Sequence, residues 1–197
     1  MTSEDIECLK LSFLDTLRKN VNRDGLESLI KWLESTDFFT APASTRFHGN
    51  YEGGLCEHSL NVYDALMDIS DKYLKSCEYS PETLTIVSLL HDICKADFYK
   101  KGTKNVKQPD GRWLAVDVWE VDDKLPLGHG EKSCMLILRY MQLTDEEMLA
   151  ITWHMGGFDI RTKTGDFSCS RAQDASKLVT ALQAADLIAA QLMEETT

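Results

Sequence analysis

The 197-residue sequence is short of positive charge, of histidine and of long apolar runs. Lys and Arg total 21 against 32 Asp and Glu, a formal net charge of −11. Such a surface repels phosphate backbones at long range, which excludes long nucleic acid as a non-specific partner. No stretch approaches the ~20 apolar residues of a membrane-spanning helix, so a membrane partner is not expected. The start, Met1-Thr2-Ser3-Glu4-Asp5, has neither the basic region nor the apolar core of a secretory signal. None of the six cysteines, Cys8, Cys56, Cys77, Cys94, Cys134 and Cys169, forms a CxxC pair, which excludes a zinc knuckle or a dithiol redox motif. Most lie in apolar helical patterns, where a thiol acts as a small hydrophobe. Reduced cysteines and a cytoplasmic location are the expectation.

What is present is a core and a set of unusual polar residues. Hydrophobic residues make up 43% of the chain and charged residues 27%, the balance of one globular domain over 1–197. Apolar residues at helical spacing predict helices over 4–20 and from Leu26, the first capped by Thr2 or Ser3 and the second by an Asp24–Glu27 capping box. These N-terminal helices, within 1–40, pack on the core or cover a site. Helical patterns return from Leu55, from Ser80-Pro81, after Gly130, after a Thr144–Glu147 capping box, and from about Asp174 to Glu194. Residues 105–121 are rich in β-branched and aromatic types around the turn Pro109-Asp110-Gly111, which predicts an inserted β-hairpin. Its lysines suit a phosphate-attracting flap. Trp113 and Trp119 suit a substrate lid or a homodimer contact. Residues 158–174 read as polar and mobile. The fold class is an all-α bundle.

Five histidines and two acids stand out. His58 shares the buried face of Leu55 and Val62, a setting more common for a satisfied core residue than for a ligand. His91-Asp92 closes the apolar run Leu89-Leu90, with Lys95 just beyond. A buried carboxylate without a partner is costly, and an imidazole and a cation beside it resolve that cost. His129 lies between two glycines at a helix start, and His154 ends a helix that Gly156-Gly157 stop. Asp186 lies on an otherwise apolar stripe among alanines, where a metal or a strong hydrogen-bond partner is the economical explanation. Arg46 and His48 sit in the glycine-rich loop 37–54, either as ordinary loop residues or as substrate contacts.

Imidazole and carboxylate together suit iron, manganese, cobalt, nickel or zinc. His58, His91, Asp92 and Asp186 leave coordination positions open for water. His129 and His154 add a second divalent site, with Asp92 bridging. The order His58 … His91-Asp92 … Asp186 resembles the HD-domain metal-dependent phosphohydrolase superfamily over about residues 46–190. The added His129 and His154 are similar to its two-metal members. Gly53-Gly54-Leu55-Cys56-Glu57-His58 and His91-Asp92-Ile93-Cys94-Lys95 are similar to the HD module of a bacterial 3′–5′ exoribonuclease family. Cys94 replaces the glycine common after the doublet, and no nucleic-acid-binding barrel accompanies the module. The resemblance implies an all-helical HD bundle with a buried centre of two divalent ions. The implied reaction is in-line attack of activated water on a phosphate ester of a nucleotide or similar small molecule. Asp92 would hold the metals; Lys95, with Arg46 and His48, would bind the phosphate and offset charge in the transition state. Two other classes remain: a phosphodiesterase of cyclic or short oligonucleotides, and a non-catalytic nucleotide-sensing module.

Overall fold

The computed structural model describes residues 1–75 and 78–194, so Cys77 lies outside the described residues. Helices dominate. In chain order they are α1 (Ser3–Asn20), α2 (Leu26–Ser35), α3 (Gly54–Tyr73), α4 (Pro81–Leu90), α5 (His129–Leu138), α6 (Asp145–Trp153), α7 (Ile160–Lys163), α8 (Ser168–Ala175) and α9 (Lys177–Ile188), with a π-turn over Ala189–Met193. One antiparallel hairpin, β1 (Tyr99–Lys107) and β2 (Trp113–Val121), is inserted between α4 and α5. The architecture is thus the expected helical bundle with one small hairpin, whose first strand begins at Tyr99 rather than near 105.

Helix starts follow local chemistry. Thr2 caps α1 in a capping box with Asp5, Ser80 caps α4 ahead of Pro81, and Thr144 caps α6 in a box with Glu147. The expected Asp24–Glu27 box does not form. Gly25 starts α2 at φ 92°, and Glu27 instead pairs with Arg18 at 3.1 Å. Any Cβ on Gly25 would stand 1.8 Å from the Tyr140 carbonyl oxygen, so close approach as well as backbone angle demands glycine there.

The core runs between α3, α4, α6 and α9, and α1 lies against α3 and α4. Phe13 of α1 meets Phe38 and Phe39 with ring centroids 5.2 and 5.6 Å away. One continuous apolar cluster includes these rings together with Leu55, Leu89, Leu90, Ile151 and Leu182. A buried ion pair binds the N-terminal helices to the rest. Arg23 reaches the fully buried Glu147 with two hydrogen bonds of 2.6 and 2.7 Å, and also Glu82 at 3.2 Å.

The polar stretch 158–174 is held in place rather than loose. Arg161 lies over the Trp153 ring at 3.9 Å, forks onto both oxygens of Asp159 at 3.0 and 2.7 Å, and pairs with Glu131 of α5. Cys169 and Ala172 of α8 are buried in the core. The last helix is also not continuous. α8 ends at Ala175, α9 begins at Lys177, and α9 gives way to the π-turn.

Removing Arg23 would leave Glu147 charged in the interior with only the Thr144 N–H and no counter-ion. Arg23→Ala is expected to destabilise the protein by about 3–5 kcal/mol. Urea unfolding of both proteins checks this; a change below ~1 kcal/mol would mean that Glu147 finds another partner.

Candidate metal centre

Four helix positions converge on Asp92. His58 projects from α3, and His91 and His154 are the C-terminal caps of α4 and α6. The two caps are built alike. Each ring donates Nδ1–H to the carbonyl three residues back, Ser88 for His91 and Ile151 for His154, both at 2.7 Å. This leaves each Nε2 as a lone pair turned inward. His129 opens α5, and Gly130 lets that helix start lie against α6; a Cβ there would stand 2.3 Å from the Thr152 carbonyl oxygen. Ring centroids of His129 and His154 are 5.3 Å apart, and those of His91 and His154 4.9 Å.

The two oxygens of Asp92 face different groups. Oδ1 accepts from His129 Nε2 at 2.6 Å and lies 3.4 Å from His154 Nε2. Oδ2 lies 3.8 Å from His58 Nε2, 3.6 Å from His91 Nε2 and 2.6 Å from Lys95 Nζ. Asp186 of α9 comes to His58 Nε2 at 3.2 Å. His58, His91 and Asp186 can hold a metal ion; so can His91, Asp92 and His154, or Asp92, Cys94 and His129. The donors fit a cation. His154 Nε2 is buried and makes no hydrogen bond, and the His91 and His58 Nε2 atoms face each other at 3.3 Å, an arrangement suited to two ligands of one ion.

His58 is oriented from behind by a residue that sequence reasoning missed. Glu194, at the end of the π-turn, accepts from His58 Nδ1 at 2.8 Å and from His48 Nδ1 at 2.7 Å, with its own side chain buried. A carboxylate behind a ligating imidazole fixes its tautomer and raises its basicity. Nothing in the sequence marks Glu194: on a regular helix, eight residues place it about 80° around the axis from Asp186. The π-turn changes that register.

The charges are mutually dependent. Burial opposes protonation of His58, but the carboxylates of Asp186 and Glu194 outweigh it and its pKa rises to about 9. Burial likewise opposes His129, yet Cys94 and Asp92 raise it to about 10. Burial, with His154 and His58 beside it, drives His91 down to about 3 despite Asp92. Burial alone would raise Asp92; Lys95, His129 and His91 hold it well below the usual carboxylate range.

The cluster opens into a cavity of about 620 Å³ lined by His48, His58, Asp92, Lys95, His129, His154 and Asp186. Every expected site residue but His91 and Arg46 lines it, and the fully buried His91 still reaches Asp92 Oδ2 at 3.6 Å. Arg46 is exposed, while its neighbours Thr45 and Phe47 line the cavity. Of the hairpin only Tyr99 and Val121 line it, and none of the hairpin lysines does.

The HD domain family model matches residues 55–191. The chain belongs to the HD domain family. HD domains bind divalent metals, in keeping with the His/Asp groups gathered here. The chain is also 31% identical over 84 residues to the dihydroneopterin 2′,3′-cyclic phosphate phosphodiesterase of Methanocaldococcus jannaschii. That match covers 42% of this chain and 31% of the relative, so the chain spans about a third of the relative's length. No solved structure matches the chain significantly. Neither finding bears on the resemblance to exoribonuclease modules. No helix among the described residues is long and apolar enough to cross a membrane.

In the metal-free protein His58 should titrate near pH 9 and His91 near pH 3 by NMR of the ring nitrogens. The raised His58 pKa stabilises the metal-free fold fully below pH ~6.5 and that contribution is lost as pH rises through about 9. Glu194→Gln removes one of the two charges and should lower the His58 value. An unmoved His58 titration would show that Glu194 does not govern it.

Proposed function

We propose that this HD domain is a metal-dependent phosphohydrolase acting on a phosphate ester of a nucleotide or a similar small molecule. The observation that carries the reading is the division of Asp92: Oδ1 faces His129 and His154, and Oδ2 faces His58 and His91. A carboxylate so placed suits a bridge between two ions. His58, His91 and Asp186 would hold one, and His129 and His154 the other, with Asp92 shared. The donor set accommodates iron, manganese, cobalt, nickel or zinc. Divalent ions at such a site lower the pKa of water and polarise phosphoryl oxygens.

The chain's own residues do the rest. Lys95 is buried, which works against its charge, but Asp92 more than compensates and keeps the ammonium protonated. Its Nζ reaches the cavity beside the carboxylate, where a fixed cation offsets charge that develops on the phosphoryl group. His48 is held by Glu194 through Nδ1, which directs its other ring nitrogen elsewhere for a substrate oxygen. A diesterase is the form of the reading that the M. jannaschii relative favours, since that protein is named for a cyclic phosphodiester substrate.

Two experiments test the proposal. Phosphate release and product analysis, run with nucleoside monophosphates, cyclic nucleotides and dinucleotides plus manganese, iron or cobalt, should show turnover that Asp92→Ala lowers by more than the ~10–100-fold typical of a lost supporting contact. Full activity in Asp92→Ala would sink the mechanism; a metal-loaded protein that binds nucleotide without turnover would make it a sensor. Independently, metal binding at pH 7 should release protons, because His58 and His129 are protonated there without metal. Calorimetry in buffers of different ionisation enthalpy reads that release, and binding without proton release would remove these two histidines from the ligand set.

A further inference from the structure

The cavity lining has two chemically different parts. One is the Asp92 cluster; the other carries Phe47, Tyr99, Met155, Phe158 and Leu187. Phe47 is 68% exposed and Phe158 66%. They come from separate elements, the loop before α3 and the turn after α6, yet both line this cavity. Neither ring stacks on another aromatic side chain among the described residues; Phe158 has only Lys163 Nζ, 5.6 Å from its centre. Two large rings left in water and lining one cavity suit a ligand that covers them.

Gly157, beside Phe158, is the second observation. Its neighbour Gly156 has a folding reason to be glycine: φ is +50°, and a Cβ there would crowd the Gln183 amide at 3.2 Å. Gly157 has none. Its backbone is not in the left-handed region, and an added Cβ would meet nothing within 4 Å. A glycine at such a place costs conformational entropy without repaying it in packing. What it provides is a flat stretch of cavity wall. A third feature is Gln191, which lines the same cavity and whose side chain makes no hydrogen bond among the described residues.

We propose that Phe47, Gly157 and Phe158 form a subsite for a planar heteroaromatic ring, with the Gln191 amide available to a polar ring edge. The inference rests on the phosphohydrolase reading above and narrows it. The substrate is a phosphate ester of a nucleoside-like compound, its phosphate at Asp92 and Lys95 and its ring on the aromatic wall. A cavity of about 620 Å³ holds one such unit. A sugar phosphate would leave the aromatic wall bare.

The test compares substrates that differ only in the ring. The four ribonucleoside 5′-monophosphates are set against ribose 5-phosphate, and 2′,3′-cyclic AMP against methyl β-ribofuranoside 2,3-cyclic phosphate, with manganese, iron or cobalt added. On whichever pair is hydrolysed, kcat/KM for the ring-bearing ester should exceed the ring-free one by at least about tenfold, mostly through KM. Phe158→Ala removes a stacking face, and Gly157→Leu fills the flat wall from a position with open space, so both should fold. Each should cut the ring-bearing to ring-free ratio by about tenfold. A wild-type ratio near one, or a ratio that neither variant moves, would overturn the ring subsite while leaving the phosphohydrolase intact. Hydrolysis of neither pair would overturn the phosphohydrolase reading and the subsite with it.

Discussion

A carboxylate in a protein interior must be compensated, and the way Asp92 is compensated organises this molecule. Its side chain is about 3% exposed, and four imidazoles and one ammonium lie within 3.8 Å of its two oxygens. No single partner would suffice. Lys95 supplies a full charge at 2.6 Å, His129 a hydrogen bond at 2.6 Å, and the remaining rings present nitrogen atoms that a cation can join. An interior ion cluster of this kind does little for net stability. Its retention points to chemistry, and the apolar packing around it carries the fold.

That packing fixes where the rings point. α4 and α6 both end on a histidine whose Nδ1 is tied to the previous turn, so neither ring can rotate without losing a buried hydrogen bond. Gly130 brings the start of α5 onto α6, which places His129 across the carboxylate from His58. Two small residues, Ala185 of α9 and Ala189 of the π-turn, are fully buried near Asp186 and let this segment lie close to α3. At the far end, the π-turn carries Glu194 behind His58. The site is therefore assembled mainly from helix ends and close helix contacts, with precision set by the core rather than by the loops.

How legible this was depends on what kind of information each residue carries. His91-Asp92 was readable because an ionisable doublet at the end of an apolar helix has no cheap alternative explanation, and Asp186 was readable for the same reason. The Thr144–Glu147 capping box was local and appeared where its residues lie. The Asp24–Glu27 box was equally local and did not form, because Gly25 must pass close to Tyr140, a contact that lies 115 residues away in sequence. Arg161 shows the same limit: a polar stretch read as loose is anchored by Trp153, Asp159 and Glu131, three partners with no common spacing. Glu194 was hidden by assuming one regular helix to its end. Arg46 suited an anion contact by residue type, yet it is exposed and outside the cavity lining, which takes its neighbours Thr45 and Phe47.

The charge distribution sets how a phosphate ester would reach the site. The chain as a whole is at −11, so approach from bulk solvent is unfavourable for a polyanion. Screening at physiological salt confines that field to about 8 Å, and a small ester meets mostly the local field at the mouth. There the repulsion is offset: Lys95, His58 and His129 are held protonated in the metal-free state and match the carboxylates of Asp92, Asp186 and Glu194, and bound divalent ions would make that cluster cationic. Binding energy for such a ligand must then come from within the cavity, from the metal-loaded cluster at one wall and apolar contact at the other. A long strand gains the first only once and meets the repulsive field along its length. The same electrostatics that make Asp92 tolerable in the interior thus favour a compact phosphorylated ligand over an extended one.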